Sequence, residues 1–445
     1  MKIRNLLLKS IGALSVVGLL AACAPVPAAP AAEPAAGEAA APSDAAVSLV
    51  YLVDESQPSQ ARAKAFVDGY MALHPNVTIT IESRPGGTEG DNLVKTRLAT
   101  GEMADVFWYN SGSLMQALNP AQSLVDLSGE PFIANIAESY LPTVSQGEAI
   151  FGVPGETAMG GGILYNKKVY ADLGLSIPTT WEEFAANNEA ILAAGITPVI
   201  QTYGDTWTSQ LFVLADYYNV AQAVPTFTAD FTANKAKYAT TPAAVEGFKH
   251  LQEGFEKGWW QQDYATDKFD QGLQLLAEGK GAHYPMLTFA LTTLAENYPE
   301  QIEDIGFFAQ PGSDAALNGA TIWMPAATYI PQTTSNLEVA KDFLAFIAST
   351  AGVDAQNAAV VPSGPYVIKG AVLPDDVISA VRDVAAYIDN GNAGPALEFL
   401  SPVKGPSLEQ ITVAVGTGQM TAEDAAAAYD ADVEKQAQQL GLPGW

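Results

Sequence analysis

Cysteine, histidine and basic residues are the scarce groups of this chain. Its 445 residues include one cysteine, three histidines, and 21 lysines and arginines against 49 aspartates and glutamates. A single cysteine excludes disulfides within the chain and a zinc site built on several thiolates. The histidines His74, His250 and His283 lie far apart and form no H-x-x-H or H-E-x-x-H pair. We therefore expect neither a metal site nor a cofactor.

The acidic excess bears on the partners of the chain. The formal net charge is −28, and because residues 1–22 contain three basic and no acidic side chains, the chain without them carries −31. Such a surface repels nucleic acid, so we expect no nucleic-acid partner. Hydrophobic residues make up 48% of the chain, which is enough for a packed core. The length indicates two substantial folded units.

The N-terminal segment has the order of a secretory signal. Lys2, Arg4 and Lys9 precede an uncharged apolar stretch over 11–22, which is shorter than the roughly 20 apolar residues of a transmembrane helix. The run LAAC that ends at Cys23 resembles a bacterial lipoprotein signal; the alternative is an ordinary signal peptide with an incidental cysteine. We expect a signal peptide over 1–22, lipidation at Cys23 and an Ala/Pro-rich tether over 23–46. The protein would then be lipid-anchored on the extracytoplasmic face of the cell membrane.

Strand and helix signals alternate after the tether. The apolar run VSLVYLV (47–53), the alternating run VTITIE (77–82) and ADVFWY (104–109) predict strands. Apolar residues at helical spacing predict helices over 58–73, 91–100, 242–257, 268–279 and 336–349. Thr180 and Glu183 have the spacing of a capping box at a helix start. This alternation predicts mostly parallel sheets with helices on their faces.

Several segments together resemble the extracellular solute-binding proteins of ABC importers. They are TGEMADVF (100–107), FGVP (151–154), LYNKK (164–168), PTTWEEF (178–184) and AKDFLAFI (340–347). The resemblance is to the family 1, maltose-binding-like group, whose usual ligands are sugars and oligosaccharides. It implies an α/β, two-lobed periplasmic-binding-protein-like fold of type II, each lobe a mostly parallel sheet flanked by helices. Lobe 1 would comprise 47–154 and 307–350, and lobe 2 would comprise 155–306 and 351–445, joined by hinge crossovers.

The resemblance also implies a function. The chain would bind a sugar or oligosaccharide in the cleft between the lobes and deliver it, as a monomer, to the permease subunits of an importer. It would not be an enzyme. The alternatives are an exported carbohydrate-active enzyme, which needs two carboxylates about 5–10 Å apart, a receptor for a polyol or polyamine, and a sensor or structural lipoprotein.

Candidate ligand contacts are aromatic and polar side chains at predicted strand ends, because sugar sites combine flat aromatic faces with paired hydrogen bonds. They are Asp54, Glu55, Trp108, Tyr109, Asn110, Glu156, Asp205, Trp207, Phe289 and Trp323. By the resemblance, Glu156 stands where the maltose-binding group has a sugar-binding glutamate at the first crossover, and Trp207 matches a stacking aromatic residue. Phe289 replaces the usual tryptophan of its segment. The structural alternatives are core packing for the rings and a solvent-exposed loop for the acidic residues.

Overall fold

The computed structural model describes residues 46–445. The predicted signal peptide, Cys23 and all of the predicted tether except Ala46 lie outside these residues. The strands of the described part are β1 (Val47–Asp54), β2 (Val77–Arg84), β3 (Val106–Tyr109), β4 (Ser145–Gln146), β5 (Ala149–Ile150), β6 (Gly152–Pro154), β7 (Met159–Asn166), β8 (Thr197–Val199), β9 (Gly281–Leu287), β10 (Ile305–Ala309), β11 (Ala320–Trp323), β12 (Ala327–Tyr329) and β13 (Ala393–Pro395).

Helices cover both sheets and close the chain. They are α1 (Gln57–Leu73), α2 (Gly87–Thr100), α3 (Ser113–Gln116), α4 (Pro120–Ser123), α5 (Lys167–Leu173), α6 (Trp181–Ala193), α7 (Leu211–Leu214), α8 (Tyr217–Ala223), α9 (Phe227–Thr232), α10 (Pro242–Glu256), α11 (Phe269–Ala277), α12 (Ala290–Asn297), α13 (Leu337–Ile347), α14 (Thr350–Asn357), α15 (Ser379–Asp389), α16 (Leu397–Leu400), α17 (Leu408–Gly416) and α18 (Ala422–Gln439). In the described part of the chain, no helix is both long enough and apolar enough to span a bilayer.

Two larger sheets define two lobes, which confirms the α/β, two-lobed expectation. The sheet of lobe 1 has the order β2-β1-β3-β12-β6, and that of lobe 2 has the order β13-β11-β7-β9-β8 with β10 also paired to β7. Both sheets are mixed rather than mostly parallel. Strands β1, β2 and β3 run parallel, but β12 is antiparallel to β3, and β9, β10 and β11 are all antiparallel to β7.

The path between the lobes differs in detail from the boundaries expected from the sequence. Strands β10 and β11, which we had placed in lobe 1, pair with β7 in lobe 2. The chain therefore returns to lobe 1 at 324–326 rather than near 307. Helix α14 packs against α1 and α13 in lobe 1, and α15 packs on β10 in lobe 2, so the last crossing lies within 358–378. The reason is that an apolar run predicts a buried strand but not its partner.

Local signals explain why these elements form where they do. Strand β1 has four consecutive buried residues, Tyr51 to Asp54, as expected for the centre of a covered sheet. The capping box of α6 is confirmed: the Thr180 hydroxyl accepts from the Glu183 amide at 3.3 Å, and the Glu183 carboxylate accepts from the Thr180 amide at 3.2 Å. Helix α13 buries one face, and its Phe343 ring packs edge-on against Tyr51. The last contact packs α13 onto the sheet of lobe 1.

Lobe 2 has an aromatic core beneath its sheet. Phe184, Trp259 and Phe308 are almost completely buried there. His283 lies among them, with Nε2 2.7 Å from the Tyr170 hydroxyl and Nδ1 2.9 Å from the Asn188 side-chain oxygen. Burial lowers the pKa of His283 to about 3, so this imidazole is neutral and belongs to the core.

Candidate functional site

The two sheets present the same kind of edge to each other. In lobe 1, strands β1, β2, β3 and β6 all end at one edge of the sheet. In lobe 2, strands β9 and β11 end, and strand β7 begins, at one edge of the sheet. The crossovers at 155–158 and 324–326 join these edges and are only a few residues long. The cleft between the lobes therefore lies along strand ends, where open α/β sheets bind ligands.

Hydrogen bonds tie the three crossovers together. The Gly155 amide donates to the Ala326 carbonyl at 3.0 Å, and the Ala158 amide donates to the Pro365 carbonyl at 2.8 Å. The Thr157 and Ser363 hydroxyls lie 3.0 Å apart. A motion of one lobe relative to the other must act through this bonded set, as in hinge closure.

Glu156 lies inside this hinge with both carboxylate oxygens engaged. Oε2 accepts from Arg62 Nη1 at 2.9 Å, and Oε1 accepts from the Ala326 amide at 3.2 Å. Burial raises the pKa of the Glu156 carboxyl, and the Arg62 guanidinium opposes that rise. The structure thus connects this predicted ligand contact to helix α1 and to the second crossover.

The end of β3 forms the lobe 1 wall. Trp108 is half-buried, and its indole Nε1 is shielded from solvent without a hydrogen-bond partner. Tyr109 is completely buried, and its hydroxyl lies near the Asp91 carboxyl without a hydrogen bond of ordinary geometry. Asn110 is half-buried, and its carbonyl accepts from the Tyr329 hydroxyl at 3.1 Å. Of the two predicted rings, Trp108 is therefore the accessible one.

Asp54 and Glu55 follow β1 at the same edge. The Asp54 carboxylate is buried and accepts from the Ser56 amide at 2.9 Å, a local turn that starts helix α1. Glu55 is exposed, and its amide donates to the Arg84 carbonyl at 2.9 Å. Glu55 therefore has the free carboxylate of the pair.

Aromatic rings form the lobe 2 wall in two joined groups. The ring centroids of Trp207, Phe269 and Phe289 lie 5.5–5.9 Å apart in all three pairs. Asp205 supports this group from behind, because its carboxylate accepts from the Phe269 amide at 2.8 Å. The half-buried Phe289 also packs against the second group, which is centred on Trp323.

Trp323 lies flat on the lobe 2 sheet because of a glycine. A Cβ at Gly161 would lie 2.2 Å from the Trp323 ring, so only glycine admits the indole there. Phe399 extends the group toward lobe 1, where its ring lies against Gly112. Next to it, the carboxylate of Glu398 pairs with Lys404 at 2.9 Å.

Two residues of the cleft were missed from the sequence. Arg84 ends β2, and its guanidinium carbon lies 5.5 Å from the Trp108 ring centroid and 5.7 Å from that of Tyr109. Phe269 starts α11 and completes the triangle with Trp207. The arginine that follows the alternating strand was a usable signal for Arg84; Phe269 gave none, because a helix-start phenylalanine is ordinary.

The chemistry of the cleft is that of recognition. Half-buried rings line both walls, with Trp108 in lobe 1 and Trp207 and Phe289 in lobe 2. Between residues 46 and 445, no group of histidine, aspartate and glutamate side chains is placed to hold a metal ion. Flat rings with polar side chains beside them suit a ligand that has both C–H faces and hydroxyl groups.

Comparison with known proteins agrees with this geometry. The model of the bacterial extracellular solute-binding protein family matches residues 54–354. A multiple sugar-binding protein of Streptococcus mutans is 25% identical over 376 residues, covering 81% of this chain and 83% of that protein. A solved chitin oligosaccharide binding protein has a TM-score of 0.75 at 22% identity, covering 88% of this chain and 99% of its own. RafE in complex with raffinose has a TM-score of 0.71 at 20% identity, covering 87% and 99%. The chain therefore belongs to the bacterial extracellular solute-binding proteins, a family of solute receptors rather than enzymes.

Proposed function

We propose that this protein binds a sugar or oligosaccharide in the cleft between its lobes and delivers it to the permease of an ABC importer. The observation that carries the proposal is the presence of accessible rings on both walls of the cleft, Trp108 in lobe 1 and the pair Trp207 and Phe289 in lobe 2. Aromatic faces stack on the C–H faces of sugars, and the polar side chains of Asn110 and Glu55 near Trp108 offer hydrogen bonds to sugar hydroxyls. The names of the similar proteins, which refer to sugars, support the same ligand class.

The predicted contacts take different parts in this proposal. We assign direct ligand contact to the exposed or half-buried side chains Trp108, Asn110, Glu55, Trp207 and Phe289. Trp323 is only 6% exposed, and we assign it support of the lobe 2 wall. Asp54, Tyr109, Asp205 and Glu156 are buried or already hydrogen-bonded, and we assign them support of the walls and of the hinge.

Calorimetric titration of the protein with raffinose, chitotriose, a polyol and a polyamine tests the ligand class. We expect heat of binding and a raised unfolding temperature with at least one sugar. Trp108→Ala should remove most of that affinity. Trp445→Phe is the control, because Trp445 packs beside Lys237 at the C-terminus. Binding of the polyamine alone would replace the sugar proposal by another importer substrate, and release of sugar products would restore the enzyme alternative.

We further propose that the mature protein is a monomer anchored through a lipid on Cys23, which keeps the receptor near its permease. The support is the LAAC sequence and the basic and apolar segments that precede it. Expression in a bacterial host with labelled palmitate tests this. The label should enter the natural chain and be absent from Cys23→Ala. Equal labelling of both chains contradicts the assignment.

A further inference from the structure

Arg84 is an unusual side chain for its place at the end of β2. It is 3% exposed, although arginine is rarely buried unless it is paired. The described arginines that form ion pairs with carboxylates within 4.0 Å are Arg62, Arg97 and Arg382, and Arg84 is not one of them. Its Nη1 donates to the Pro85 carbonyl at 2.9 Å, and its buried Nε has no partner.

The fold makes room for this side chain. A Cβ at Gly90 of α2 would lie 2.4 Å from Arg84 Nη1, so the helix approaches the guanidinium closely only because residue 90 is glycine. On its other side the guanidinium contacts the rings of Trp108 and Tyr109. Helix α2, Arg84 and the end of β3 therefore form a layered contact.

The layer has a mechanical consequence for Trp108. A planar cation packed against an indole is attracted by the electrons of the ring, and the attraction strengthens when both groups are desolvated. Trp108 has no hydrogen bond from Nε1 to fix its orientation. The ring is restrained on the cleft wall by packing alone, against the core of lobe 1, the backbone near Gly155 and the Arg84 guanidinium.

We propose that Arg84 is a positioning residue of the ligand site: its guanidinium holds the Trp108 ring in the orientation that stacks on a sugar. The inference rests on the proposed function for the identity of the ligand. The restraint itself is a property of the unliganded protein.

The unliganded protein provides the first test. Replacing Arg84 by Met keeps the length of the side chain and removes its charge and planar group. We expect Arg84→Met to change the tryptophan emission and the near-ultraviolet circular dichroism. In a Trp108→Phe background the same substitution should leave both spectra unchanged. The comparison assigns the change to Trp108, one of the seven tryptophans of the chain. Arg97→Met is the matched control, since Arg97 pairs with Glu82 instead. An unchanged spectrum for Arg84→Met, or the same change in the Trp108→Phe background, overturns the proposal.

The second test measures affinity for raffinose. We expect Arg84→Met to weaken binding roughly tenfold in the natural background and not at all in a Trp108→Ala background, because both changes disable the same stacking contact. If Arg84→Met weakened raffinose binding by the same factor in both backgrounds, the two substitutions would act independently, and the proposal would be contradicted. If Arg84→Met does not fold, Arg84→Lys replaces it, because lysine keeps the charge without the planar guanidinium. Arg84→Lys should show the same change in the spectra and the same loss of raffinose affinity. A protein that binds no sugar refutes the proposed function, while the spectra still decide the role of Arg84.

Discussion

Asp216 makes the stability of lobe 2 depend on pH. It lies at the start of α8, is 2% exposed, and accepts a hydrogen bond from the Asn219 side chain through Oδ1 at 2.9 Å. Its Oδ2 has no partner, and the same is true of the side-chain oxygen of the adjacent Gln310. A protonated carboxyl leaves no charge in this buried site. Burial raises the pKa of Asp216 from 3.8 to about 8, so we expect the neutral form at pH 7.

The sign and size of the effect follow from linkage. The unfolded chain releases this proton near pH 4 and the folded chain holds it until about pH 8, so the folded state binds more protons between those values. Stability from this group is complete below pH 4, falls as the pH rises, and is lost above about pH 8. At about 1.4 kcal/mol for each pH unit, the total is on the order of 5 kcal/mol.

Urea unfolding of the natural protein and of Asp216→Asn at pH 5, 7 and 9 measures this effect. The asparagine amide has nearly the size of the carboxyl and never ionises. The variant should be more stable than the natural protein by about 1–2 kcal/mol at pH 5, and this advantage should grow to about 5 kcal/mol at pH 9. Asp263→Asn, an exposed position, is the control and should show no such divergence. A stability difference between Asp216→Asn and the natural protein that is the same at all three pH values would refute the reasoning.

Three further substitutions test the cleft. Trp108→Ala should weaken sugar binding by about 1–3 kcal/mol in calorimetry with little change in unfolding temperature; a collapse of that temperature at unchanged affinity would make the ring a core residue. Gly161→Ala should destabilise the protein by about 1–3 kcal/mol in urea, because its Cβ displaces the Trp323 ring; unchanged stability contradicts this. Phe399→Ala should increase the radius of gyration in X-ray scattering by loosening the contact between the lobes, whereas Leu400→Ala, 47% exposed, should not; identical scattering curves oppose it.

The sequence predicts where strands and helices form better than it predicts which strands pair with one another. The runs at 47–53 and 77–82 and the helix at 336–349 were predictable because periodicity is a local property that a short window records. The position of β10 and β11 was not, because Ile305–Ala309 is buried and apolar and would suit either sheet. Only the antiparallel register with β7, set by residues some 140 positions away, decides it.

The candidate ligand contacts were likewise predictable in part. That aromatic residues would line the cleft was predictable from their positions at strand ends. Which ring remains accessible was not predictable, because the Arg84 guanidinium lies near both rings and yet Trp108 is half-buried while Tyr109 is completely buried. The support that Asp205 gives to Phe269 was not predictable, because the two residues are 64 positions apart.

Glu156 lies beside the first crossover, as the sequence predicts, but both of its carboxylate oxygens are hydrogen-bonded within the protein. A carboxylate beside the first crossover is well placed for a sugar hydroxyl, and its sequence context, GET, is that of a loop. In the structure Arg62, 94 residues away, takes one carboxylate oxygen, and the amide of Ala326 takes the other. A ligand hydroxyl at Glu156 would have to displace a charge-assisted bond between side chains that are only 12% and 13% exposed. The bond instead connects helix α1 to two crossovers, so we expect the Glu156 carboxylate to affect affinity through the geometry of the hinge rather than by contact with the sugar.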